Sequence, residues 1–130
     1  MKAIKIIYWA TTVIVALMMA YSAYAYLTQP AIAQAFQHLG FPGYFRVELA
    51  IAKLIGAIIL LTPASARIKE WAYAGFAITF ISALIAHTAS GDPVNYRIMP
   101  VVFLALLAVS HVMYIKSKAV NTAFNAQPAV

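Results

Sequence analysis

The chain has 130 residues, 65% of them hydrophobic and only 9% charged, with a mean hydropathy of +0.86. Soluble domains carry about 25% charged residues, so this composition excludes a water-exposed globule and calls for helices that satisfy their backbone polar groups inside a bilayer. The net charge of +6 comes from nine scattered basic residues, which excludes the clustered basic face of a nucleic-acid binder, and the lack of cysteine excludes disulfides, thiol catalysis and cysteine-held metals.

The first apolar run is Ile6 to Leu27. Lys2 and Lys5, a following apolar stretch and Ala23-Tyr-Ala25 have the order of a cleavable leader. The run continues through Leu27, however, and Tyr21, Tyr24 and Tyr26 read as an interfacial aromatic belt, so a retained spanning helix is expected. Next, Pro30 marks a helix start and Gly40 a stop. Between them Ala31, Ile32, Ala35, Phe36 and Leu39 fall on one face, and Gln34, Gln37 and His38 towards the other. This predicts a short amphipathic outer helix, lying on the membrane surface or serving as a lid over a cavity.

The second run, Tyr44 to Thr62, is interrupted by Arg46, Glu48 and Lys53. Lys53 lies roughly 13 Å along a helix from Tyr44, and a cation near the bilayer midplane costs about 2.5–3.5 kcal/mol. Glu48 and Lys53 stand about 140° apart on the helical wheel, so each is expected to look to a neighbouring helix. Arg46, Ala50, Lys53 and Ala57 share one stripe, and this helix is expected to be the central one. The third run, Trp71 to Ala89, carries His87, and the fourth, Ile98 to Ile115, carries His111. Pro63, Gly91-Asp-Pro93 and Pro100 punctuate the run ends.

The expected fold is therefore all-α: an integral membrane four-helix bundle in one domain, residues 1–120, with spans of about 6–27, 44–62, 71–89 and 98–115 and a flexible tail at 121–130. Each run is near the ~20 residues needed to cross the hydrocarbon. Lys2, Lys5, Arg67, Lys69, Lys116 and Lys118 fall on one side, against Arg46 and Arg97 on the other. Both termini are thus expected in the cytoplasm, with loops 28–43 and 90–97 outward.

Equal depth from the outer end brings Glu48, Lys53 and His87 towards one level, with Tyr21, Arg46 and Asp92 nearby. Such a cluster reads either as a polar pocket for a small amphipathic molecule or as an interhelical network that fixes packing. His111 lies on the inner half, is expected to be a hydrogen-bonded packing residue, and cannot pair with His87 to hold a metal or haem. No metal site is expected.

Several segments together resemble the DoxX-like family of small bacterial membrane proteins: Leu39-Gly-Phe-Pro-Gly-Tyr-Phe-Arg46, Glu48 with Ala52-Lys-Leu-Ile-Gly56, Arg67-Ile-Lys-Glu-Trp-Ala-Tyr-Ala-Gly75, and Ala86-His87 followed by Gly91-Asp92. The resemblance runs from about Gly40 to Ile115. It implies a four-helix protein of the bacterial inner membrane, linked to oxidative-stress and quinone-related sulfur oxidation systems as a subunit or accessory protein. Two functions are carried forward. One is a non-enzymatic module that binds a quinone-like or other lipophilic molecule, or organises a redox partner protein. The other is a small proton-transfer enzyme with His87 or Glu48 as base and Lys53 stabilising negative charge. A purely structural module and a homodimer remain open, and a transporter is disfavoured because no inverted repeat is visible.

Overall fold

The computed structural model describes residues 2–126. It is all-α, with five helices and no strand among the described residues: α1 Lys2–Thr28, α2 Pro30–His38, α3 Gly43–Leu61, α4 Ala66–Ala89 and α5 Val94–Asn125. α1, α4 and α5 are long and apolar enough to cross a membrane. α3 has 19 residues but carries Arg46, Glu48 and Lys53 along its length.

α1 packs on α3 and α5, and α4 packs on α5 and α3, so the four long helices close a ring. Tyr8 of α1, Lys69 of α4 and Tyr114 of α5 meet at one end, with Lys69 Nζ 5.9 and 5.6 Å from the two rings. The start of α1 and the later part of α5 therefore share that end. The core between them is built from Val15, Ala16, Leu60, Phe76, Phe80 and Leu107.

The buried face of α3 is Ala50, Lys53, Gly56, Ala57 and Leu60, the stripe that the wheel assigned to Lys53. The expectation that α3 is central does not hold. Val47, Ile51, Leu54, Ile58 and Leu61 recur at helical spacing and are all exposed, giving α3 a full outward stripe. α3 and α4 also cross closely at one point, where Gly56 lies against Phe76.

The fourth long helix begins earlier than expected, at Val94, with Pro100 inside it and buried. Proline lacks the N–H that would bond the carbonyl four residues back, but that position is only two turns from the helix start, and the helix continues. At its far end α5 runs on through Asn125, so residues 121–125 of the expected tail are helical; residues 127–130 lie outside the described residues.

α2 starts with Pro30 in its first turn and ends at a glycine with positive φ, Gly40 at +85°. The Gly40 turn lets the Phe41 N–H reach back to the Phe36 carbonyl, 2.9 Å away, closing the helix in the Schellman manner. α2 is seated by Phe36, whose ring centroid lies 5.0 Å from Tyr26, 5.9 Å from Phe41 and 6.4 Å from Phe45.

Candidate functional site

Away from the Gly56–Phe76 crossing, the gap between α3 and α4 is a cleft of about 750 Å³, walled by α2 as well. Ile32 and Phe36 of α2, Leu39 just after it, Phe45 and Leu49 of α3, and Ile78 and Ala83 of α4 make an apolar wall. A smaller hollow of about 290 Å³ lies along the same two helices near Gly56 and Trp71, and Leu49 and Thr79 border both. At one end the large cleft turns polar, at His87, Ser90 and Tyr96. Ligand sites are commonly mostly apolar concavities of a few hundred Å³ with a few convergent polar groups.

The polar end follows from how α4 stops. Gly91 has φ +71°, a conformation that costs glycine little. The turn brings the Asp92 N–H back to the His87 carbonyl at 3.0 Å. It also brings the Asp92 carboxylate to the His87 ring, where Nδ1–H donates to Oδ2 at 2.6 Å. From α2, His38 Nε2–H donates to Asp92 Oδ1 at 2.8 Å, and Arg97 Nη2 donates to the Asp92 backbone carbonyl at 2.7 Å. Hydrogen bonds from His87 and then His38 hold the Asp92 carboxyl below the usual carboxylate range. The His87 ring stacks on Tyr96 with centroids 5.8 Å apart. The Asp92 carboxylate thus ties α2 to the end of α4, and its backbone carbonyl holds Arg97 at the start of α5.

Lys53 is elsewhere. It is buried, donates from Nζ to Ser22 Oγ at 2.9 Å, and sits 3.7 Å from the centroid of the Tyr26 ring. Its chain leans towards the second half of α1, as a long basic side chain does when it snorkels. A hydrogen bond from a charged donor contributes about 1.5–3 kcal/mol, and a desolvated cation–π contact about 2 kcal/mol. Together, about 3.5–5 kcal/mol, they cover the insertion cost of about 2.5–3.5 kcal/mol, so Lys53 needs no ligand to be tolerated. Arg46 donates to the Tyr26 backbone carbonyl. Glu48 and Tyr21 are exposed, and among the described residues Glu48 makes no ion pair or side-chain hydrogen bond. Of the six residues singled out in the sequence, the structure joins His87 with Asp92, and brings Lys53 to the ring and Arg46 to the backbone carbonyl of Tyr26. It does not bring Glu48, Lys53 and His87 into one cluster.

Sequence reasoning missed Ser22, Tyr26, Tyr96 and the role of His38. Ser22 and Tyr26 are four apart on one face of α1, which was a usable signal. It also placed most of the polar chemistry in the outer half, whereas a second buried network lies at the other end. Ser110 Oγ is 2.6 Å from Thr12 Oγ1 and 2.7 Å from the Tyr73 hydroxyl, while Lys69 Nζ donates to the Tyr8 hydroxyl at 3.2 Å. His111 is hydrogen-bonded as expected, its Nε2–H donating to Glu70 Oε2 at 2.8 Å.

A family model described as the DoxX-like family matches residues 10–110. The chain belongs to that family. No curated protein and no solved structure matches the chain. The stretch shared with the DoxX-like family spans the whole cleft, including Tyr26, Phe36, Leu49, Ala83, His87 and Tyr96. Among the described residues no group of three His, Asp or Glu side chains is arranged to hold a metal ion.

Proposed function

We propose that this DoxX-like protein is a binding module for a small lipophilic molecule, held in the cleft between α2, α3 and α4. The observation that carries this reading is the cleft of about 750 Å³, apolar along its walls and polar at the His87 end. That layout suits a molecule with a flat, quinone-like head and an apolar body, since Phe36, Phe45 and Tyr96 offer aromatic surface. The protein would serve a redox or stress system as an accessory that carries the molecule.

In this reading all four long helices cross the bacterial inner membrane. α3 is long enough, at ~1.5 Å per residue, to span the ~30 Å hydrocarbon nearly fully. Its Arg46 and Glu48 sit by the outer interface, α2 lies outside as a cover for the cleft, and the lysine-rich end that holds both termini faces the cytoplasm. A proton-transfer enzyme is the second reading, favoured by one observation: His87 is oriented by a carboxylate 2.6 Å away, as a general base often is.

Photolabelling tests the binding reading. A hydrophobic diazirine probe, irradiated with the protein in bilayers, is expected to label cleft residues such as Phe36, Phe45 and Ala83 well above the outward stripe of Val47, Ile51 and Ile58. Equal labelling of both sets would reject a specific site.

A further inference from the structure

We propose that the cleft selects a ligand whose head is a hydroxyl donor, a lipophilic phenol or alcohol, over the same molecule with a carbonyl or ether head. This rests on the cleft reading and assigns the chemistry of its polar end. Asp92 uses one carboxylate oxygen for His87 and the other for His38. An ionised carboxylate only accepts, so each ring must present an N–H to it. For His87 that proton is on Nδ1. In the neutral ring Nε2 is then a bare acceptor.

Nε2 of His87 has no hydrogen-bond partner among the described residues, and the His87 side chain keeps 22% of its surface exposed. The residue lines the cleft. Stacking on Tyr96 and the short bond to Asp92 fix the ring, so its free nitrogen is held in one orientation. The other hydroxyls that line the cleft, those of Tyr26, Ser82, Ser90 and Tyr96, can each donate or accept and so do not discriminate between heads. Thr79 already donates to the Gly75 carbonyl at 2.8 Å. Discrimination therefore falls to His87, which matches a donor and repels a second acceptor. For a quinone-like molecule this favours the reduced, hydroxyl-bearing form. Asp92 is the positioning residue, since it sets which nitrogen keeps the proton.

The test compares 4-hexylphenol with 4-hexylanisole by calorimetric titration of the protein in nanodiscs, with the cleft-filling variant Ala83→Phe as the blank for partitioning into lipid. The wild type is expected to bind the phenol about tenfold more tightly than the anisole, the size of one good hydrogen bond. Asp92→Ala removes the acceptor that keeps the proton on Nδ1, so the ring can carry it on Nε2; the phenol preference should vanish in Asp92→Ala and persist in Asp92→Glu, which restores a carboxylate, a pattern that loss of a mere packing contact would not produce. Equal binding of both compounds by wild type, with Ala83→Phe binding neither, would overturn the hydroxyl selection and leave the cleft reading standing. Binding of both that is indifferent to Ala83→Phe would overturn the cleft reading and the selection with it.

Discussion

Gly56→Ala weakens the fold by about 1–3 kcal/mol, the usual cost of forcing an extra group into a packed core. A Cβ at this position would lie 2.6 Å from Phe76 Cζ and 2.8 Å from Cε1, far inside van der Waals contact. Phe76 is itself buried and packs against Phe80, ring centroids 6.5 Å apart. Relief comes either from turning the ring out of that packing into the adjoining hollow or from moving α3 and α4 apart where they cross, and each costs packing energy. Gly75→Ala is the matched control. Nothing lies within 4 Å of a Cβ there, and alanine gains up to about 1 kcal/mol of helix propensity over glycine. Thermal unfolding in detergent micelles is expected to move in opposite directions for the two variants. A Gly56→Ala protein as stable as wild type would show that the α3–α4 crossing is looser than described.

Ser110→Ala costs a similar amount, about 1–3 kcal/mol, by leaving polar groups without partners. The Ser110 hydroxyl stands between Thr12, 2.6 Å away on α1, and Tyr73, 2.7 Å away on α4. Thr12 and Ser110 are fully buried and Tyr73 nearly so, so water does not replace what is lost. The diagnostic result is non-additivity. Removing all three hydroxyls, as Thr12→Val, Tyr73→Phe and Ser110→Ala together, leaves only the neighbouring Tyr8 hydroxyl, which keeps Lys69 as its partner, and should recover much of the stability lost by Ser110→Ala alone. The same unfolding assay checks this. A triple variant that sums the three single losses would mean that the hydroxyls contribute separately and not as one network.

The hydrophobic runs made the long helices legible, because a span of apolar residues admits little else in a membrane. The Lys53 stripe on α3 was legible too, since Arg46, Ala50, Lys53 and Ala57 fix a face by spacing alone. What the runs did not disclose was which neighbour each polar residue would meet. Depth counting put Glu48, Lys53 and His87 near one level, but level is not azimuth. Glu48 turns outward, Lys53 turns to α1, and His87 turns to the loop that follows it. The pairing of His38 with Asp92 crosses 54 positions of sequence and depends on two glycine-ended helices meeting, which no local pattern encodes. The Thr12–Ser110–Tyr73 network was invisible for another reason. Threonine, serine and tyrosine interrupt an apolar run only mildly, so nothing flagged them as a buried polar group. The cleft itself lies where α2, α3 and α4 part beyond their contacts, and a sequence reports contacts far better than gaps.

A lipophilic molecule held in the α2–α3–α4 cleft should survive gentle purification. The most direct measurement is native mass spectrometry, with extraction and analysis of bound lipids, on protein purified gently from its own membranes, wild type beside Ala83→Phe. The account predicts a discrete small-molecule adduct on the wild type that the filled cleft no longer retains, with both proteins equally folded. The same set of adducts on both proteins, or none on either, would contradict it.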